Sequence, residues 1–248
     1  MSAKLFRVHC PAGAAAILAL LAFSLTTGQA SAAPATKKAK APAAVVRKTP
    51  KPIIPPVPEV PPSAEATRLM AWVATARDNG SLPYIVIDKH AATLFLFKSN
   101  GTLVGRAPVL IGVGVGDDSS PGVGAKSLAE IGPAERTTPA GRFVSKFGRA
   151  FGNTRVLWVD YANSVALHAV DTANKKERRV ARLLSPLPDD NRVTFGCINV
   201  GTSFYAKQVR PLLQKAGGVV YILPDTKTLD EVFPRVRLLP YLNAEDAE

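Results

Sequence analysis

The chain has 248 residues, 47% of them hydrophobic and 20% charged, with a formal net charge of +12. That suffices for one ordinary globular domain with extra segments at its ends, and not for a long array of domains. The positive charge does not indicate nucleic acid, because the basic residues are not interleaved with aromatics.

Residues 1–32 read as an export signal: Lys4 and Arg7, an apolar run from Ala14 to Leu25, then small residues ending in Ala30-Ser31-Ala32. The alternative, an uncleaved anchor, has an apolar run shorter than the roughly 20 residues of a spanning helix. Cleavage after Ala32 removes Cys10 and His9 and leaves Cys197 as the one cysteine, with His90 and His168. No internal disulfide is then possible, and no membrane span remains. A lone thiol in an oxidising compartment is either buried and inert or present for its reactivity.

Residues 33–62 form an Ala/Pro/Lys-rich linker carrying +5, expected to be extended with polyproline character. It is either a solvated spacer or a tether in weak electrostatic contact with anionic wall or lipid. Ser63 then caps a helix over 63–80, with Leu69, Met70, Trp72, Val73 and Ala76 at helical spacing and Asn79-Gly80 as the stop.

From Pro83 the period becomes that of strands. Runs at Tyr84–Asp88, Thr93–Lys98, Thr102–Leu110, Gly141–Phe147, Val156–Tyr161, Ser164–Val170, Thr194–Val200 and Val219–Leu223 predict a mainly β domain over 81–225. Ser99-Asn100-Gly101 reads as a hairpin turn, Val113–Gly124 as a loop, and 202–216 as a helix kinked or restarted at Pro211. The tail, 226–248, reads as charged and irregular apart from an apolar stretch at Val236–Leu242.

One Cys and two His do not build a zinc site, and no Gly-x-Ser-x-Gly elbow offers a serine nucleophile. No metal or other cofactor is expected. Cysteine with histidine remains. In Thr194-Phe195-Gly196-Cys197-Ile198-Asn199, Gly196 lets a substrate approach the backbone, and the neighbouring amides could face a developing oxyanion. A free thiol needs a base to become thiolate near neutrality, and His168, in an otherwise apolar strand, is either that base or a satisfied core residue.

From Tyr84 to Pro224 the sequence resembles the L,D-transpeptidase (YkuD) catalytic domain. The resemblance rests on His168, Thr194, Gly196, Cys197, Ile198 and Asn199 in order. It extends to the Tyr84–Asp88 strand, to Thr138-Pro139-Ala140-Gly141-Arg142-Phe143 and to the closing strand Val219–Pro224. It implies an α+β, mainly β sandwich or barrel with a few peripheral helices, and a periplasmic or cell-envelope enzyme acting on peptidoglycan stem peptides. Cys197 would hold the donor as a thioester, with His168 as base and then acid. Thr194, Phe195, Gly196, Asn199 and Arg192 would bind the oxyanion or substrate. A second stem's amine would complete a cross-link. With water as acceptor the same nucleophile gives an L,D-carboxypeptidase or endopeptidase, and without chemistry the domain is a peptidoglycan-binding protein.

Three departures from the family pattern stand out. Phe195 replaces the motif histidine, Ala169 follows His168 where Gly or Ser is common, and the His168–Cys197 spacing is long. The extra segment, 171–192, carries Lys175, Lys176, Arg178, Arg179, Arg182 and Arg192, either a lid for stem carboxylates or a solvated loop.

Overall fold

Two alternations of buried residues organise the chain. In β1 (Tyr84–Asp88) every residue is buried, with Ile85 and Ile87 in one apolar cluster and Tyr84 and Val86 in another. Successive side chains of a strand point to opposite faces, so β1 has a core on each side. The last strand, β9 (Gly218–Ile222), divides in the same way: Val220 and Ile222 join the first cluster, Val219 and Tyr221 the second. The computed structural model describes residues 61–150 and 154–245. The export-signal segment and nearly all of the linker lie outside the described residues.

Between β1 and β9 run β2 (Thr93–Phe97), β3 (Leu103–Gly112), β4 (Gly141–Arg149), β5 (Arg155–Asp160), β6 (Val165–Ala169), β7 (Arg192–Thr194) and β8 (Ile198–Val200). The strand order is β2-β1-β9-β4-β5-β6-β8-β3, and pairing of β2 with β3 closes these eight into a mixed barrel, with β7 attached to β3. Closure leaves the ring without unpaired edges. The β1–β9, β6–β8 and β3–β7 pairs are parallel. The first apolar cluster, including Leu94, Val109, Leu157, Leu167, Ile198 and Val200, fills the barrel. The Ser99-Asn100-Gly101 turn joins β2 and β3, with Gly101 at φ 83° where a side chain would be strained.

The second cluster lies outside the barrel. Helix α1 (Ala64–Ala76) begins at Ser63, whose hydroxyl accepts the Ala66 N–H at 3.0 Å, and it buries Ala66, Leu69, Trp72 and Val73. Each large apolar side chain so buried contributes about 1.5–3 kcal/mol. The helix ends one turn earlier than its stop signal predicts, at Arg77 in left-handed conformation. Asn79 is buried there and donates to the carbonyls of Leu82 and Ser99, which ties the helix end to the β2–β3 hairpin.

Two expectations are corrected. The tail is not irregular: α5 (Leu229–Val232), a 3-10 turn over Pro234–Leu238 and α6 (Leu239–Glu245) are formed, and Leu229, Phe233 and Val236 complete the cluster under α1. The Thr194–Val200 run is not one strand but two, β7 and β8, broken by a turn at Phe195-Gly196-Cys197. The 202–216 helix is interrupted as Pro211 implies: α3 (Thr202–Phe204) passes through a π segment, Tyr205–Val209, into α4 (Arg210–Leu213). The 171–192 segment contains α2 (Arg179–Leu183) between two 3-10 turns.

Candidate active site

The parallel register places His168 beside Asn199 and Leu167 beside Ile198. Leu167 and Ile198 point into the barrel, so His168 and Asn199 lie on the outer face. Cys197 immediately precedes β8, and its thiol reaches the carbonyl of Ser164, the residue before β6.

The turn that presents Cys197 is fastened from below. Thr194 is buried, and its hydroxyl donates to the Cys197 carbonyl at 2.6 Å while accepting the Gly196 N–H at 3.2 Å. Thr138 donates its hydroxyl to the Gly196 carbonyl at 2.8 Å and accepts the Gly112 N–H at 2.9 Å. Gly196 has φ 121°, and a Cβ there would stand 2.7 Å from the Thr137 carbonyl oxygen. Only glycine fits that position.

Beneath lies a buried ionic cluster. Lys89, 1% exposed, donates to the carbonyls of Gly116 and Thr138 and pairs with Asp117 at 3.0 Å and Asp225 at 3.2 Å. Asp225 also takes two hydrogen bonds from Arg192. Burial raises the Asp117 carboxyl, but backbone N–H groups of residues 225–227 and the Lys89 ammonium overcome this and hold it far below the usual carboxylate range. Every charge has partners, which a buried ion cluster requires. Arg192, expected near substrate, is thus committed to this cluster.

Cys197 is half-buried, and among the described residues it is the one free cysteine. Its thiol donates to the Ser164 carbonyl at 3.6 Å. Ser164 sits at φ 59° in the β5–β6 turn and anchors to the Gly124 carbonyl through its hydroxyl. Burial pushes the thiol up from 9.0, against the Ala166 N–H and the Arg179 charge, so the resting state is the neutral thiol.

The His168 ring is engaged at both nitrogens. Nδ1 lies 2.8 Å from the Ala169 carbonyl, which can only accept, so Nδ1 carries the proton. Nε2 is then an acceptor, 3.1 Å from Asn199 Nδ2. Burial lowers the imidazole below 6.5 and the Arg179 charge adds to this, against the Ala169 carbonyl and Asp171. Among the described residues no hydrogen bond joins His168 to Cys197.

Phe195 is half-buried two residues before Cys197, with the Arg136 guanidinium 4.0 Å from its ring centre. Such stacking of a cation on a ring contributes about 0.5–2 kcal/mol. Arg136 is itself fixed by two hydrogen bonds to the Ile131 carbonyl. Beside Cys197 stands an aromatic wall backed by a cation, and Arg179 lies on the side of His168.

The structure therefore brings Cys197, His168, Asn199, Phe195, Gly196 and Thr194 together. Two of them differ in role from expectation: the Gly196 N–H is consumed by Thr194, and Asn199 is fully buried and holds the imidazole. Sequence reasoning missed Arg136, Ser164 and the Lys89–Asp117–Asp225 cluster. Only Thr138 carried a signal, standing in the segment Thr138–Phe143 quoted above. Among the described residues no group of three or more His, Cys, Asp or Glu could hold a metal ion, and no helix is long and apolar enough to cross a membrane.

No protein-family model and no curated protein sequence matches the chain. Three solved structures are similar to it. The Ldtfm–avibactam carbamoyl enzyme aligns over 57% of this chain, at 17% identity and a TM-score of 0.34, and the chain spans 48% of that protein. The catalytic domain from the E. faecium L,D-transpeptidase aligns over 58% of this chain and 98% of its own, at 17% identity and a TM-score of 0.33. The L,D-transpeptidase (residues 123–326) from Xylanimonas cellulosilytica DSM 15894 aligns over 64% of this chain and 80% of its own, at 13% identity and a TM-score of 0.36.

Proposed function

We propose that this protein is an exported peptidoglycan L,D-transpeptidase that works through a thioester on Cys197. The observation that carries the reading is that Cys197 ends a turn clamped by Thr138 and Thr194 and leads directly into β8, whose parallel partner β6 carries His168. Cys197 Sγ attacks the carbonyl of an L,D peptide bond of a stem peptide. The thiol proton passes by way of His168 to the departing amine, and the terminal D-residue leaves. The acyl group stays on sulfur until an amine of a second stem displaces it, and His168 takes that amine's proton and returns it to the departing Cys197 sulfur. The Cys197 amide stabilises the oxyanion in both halves. Export to the periplasm or cell envelope follows from the leader reading of residues 1–32. Incubation of the protein with defined muropeptides, with products sequenced by tandem mass spectrometry, tests the reading: cross-linked dimers support it, and trimmed monomers alone assign water as the acceptor.

A second reading, a peptidoglycan-binding protein without chemistry, is favoured by one observation. Both ring nitrogens of His168 and the Gly196 N–H are already committed to partners other than Cys197 or a substrate. It predicts retained binding to purified peptidoglycan and no product from any donor.

A further inference from the structure

The 171–192 segment reaches the site through Arg179. Arg179, at the start of α2, donates from Nη1 to Asn199 Oδ1 at 2.9 Å and pairs through Nε with Glu177, which is held in turn by Asn174 at 3.0 Å. The Arg179 side chain is only 14% exposed. Asn199 is fully buried, and its other amide atom, Nδ2, faces His168 Nε2.

An amide has an accepting end and a donating end, and turning it over exchanges them. A guanidinium has donors only. With Arg179 fixed by Glu177, the turned-over amide would set N–H against N–H at Arg179. Asn199 therefore must give Oδ1 to Arg179 and Nδ2 to His168. At rest a proton on Nε2 would set a second N–H against Nδ2, so Nε2 stays bare until the Asn199 contact is exchanged for a proton donor.

We propose that Arg179 is a positioning residue: by fixing the amide of Asn199 it keeps Nε2 of His168 as a proton acceptor. The extra segment thus serves the base. This departs from the alternatives of a lid for stem carboxylates and a solvated loop. The catalytic meaning rests on the acyl-transfer reading above, whereas the geometry of the relay does not. The charged groups that bear on the ring are Arg179 and, with opposite sign, Asp171.

The test is a 15N NMR titration of His168 in the full chain, with its signals assigned by comparison with His168→Gln. Wild type should show a protonated Nδ1 and a bare Nε2 at neutral pH. Arg179→Ala should raise the His168 pKa by about one unit, a tenfold change in proton affinity. Arg179→Lys, which keeps the charge and a donor, should restore it, and Lys176→Ala, which removes an exposed charge of the same segment, should leave it unmoved. Arg179→Gln keeps a donor without charge and should recover part of the shift. In an Asn199→Ala background the Arg179→Ala shift should shrink to the part due directly to the Arg179 charge. A proton on Nε2 in wild type, an unchanged pKa in Arg179→Ala, or a full shift persisting without Asn199 would overturn the proposal. So would an Arg179→Gln protein that behaves as Arg179→Ala, a comparison available even if Asn199→Ala does not fold. All these outcomes are read without substrate, so they stand apart from success or failure of the acyl-transfer reading. If that reading holds, Arg179→Ala also lowers kcat roughly tenfold with KM little changed, part of the ~10²–10⁴ contributed by a positioned base.

Discussion

Thr138 donates its hydroxyl to the carbonyl of Gly196, the residue before Cys197, across 58 positions of sequence at 2.8 Å. The same hydroxyl accepts from Gly112, so β3 and the nucleophile turn are joined through one buried oxygen. Thr138→Val keeps the shape and strands both partners. Leaving buried polar groups unpaired costs about 1–3 kcal/mol, so the melting temperature should fall. Acylation of Cys197 should also slow, because its peptide is no longer fixed. Calorimetry and the acylation rate check the two effects separately; normal values of both would show that Thr138 fixes nothing.

Lys89→Met should be the more severe change. It leaves Asp117 and Asp225 buried without their shared cation, and breaking a buried pair by removing one partner costs about 3–5 kcal/mol. Much of the protein's marginal stability disappears with it. Denaturant unfolding measures this, and a loss below about 1 kcal/mol would contradict the account of the cluster.

Gly196→Ala meets both a strained φ and the Thr137 carbonyl at 2.7 Å. The turn must open, and the Cys197 amide and thiol move together. Acylation should fall by at least about a hundredfold, the order of effect of losing one oxyanion donor. Retained wild-type acylation would mean that the turn's conformation is irrelevant to the chemistry.

The site should be slow to react with alkylating agents at neutral pH. Burial raises the Cys197 thiol above 9.0, so iodoacetamide labelling should rise with pH and reach its midpoint above that value. His168, lowered by burial, takes up its proton only at a pH below 6.5. The acid limb of kcat/KM, where the base becomes protonated, should therefore lie below 6.5 and not above it. Fast labelling at pH 7, or an acid limb above 6.5, would contradict the assigned states.

The strands were legible in the sequence because their signals are local: Ile85-Val86-Ile87 and Val165-Ala166-Leu167 are short apolar runs that announce β1 and β6. The break at Phe195-Gly196-Cys197 was not, because Val193, Thr194, Ile198 and Val200 read as one run, and what interrupts them is Thr138, far away in the chain. The ionic cluster was hidden for the same reason, since Lys89, Asp117 and Asp225 meet only after the barrel closes. The tail looked irregular because Leu229, Phe233 and Val236 lie in short helical turns among charges, and their partner, α1, is at the other end of the domain. Arg179 was one of six basic residues with nothing in sequence to single it out.

The central claim is that Cys197 carries the acyl group. Intact-mass spectrometry of wild type and Cys197→Ala, each mixed with a tetrapeptide stem donor and quenched in acid, tests it most directly. Wild type should gain an adduct equal to the donor minus its terminal D-residue, cleaved by hydroxylamine and absent from Cys197→Ala. An adduct on both proteins, or on neither while stem peptide is still turned over, would contradict it.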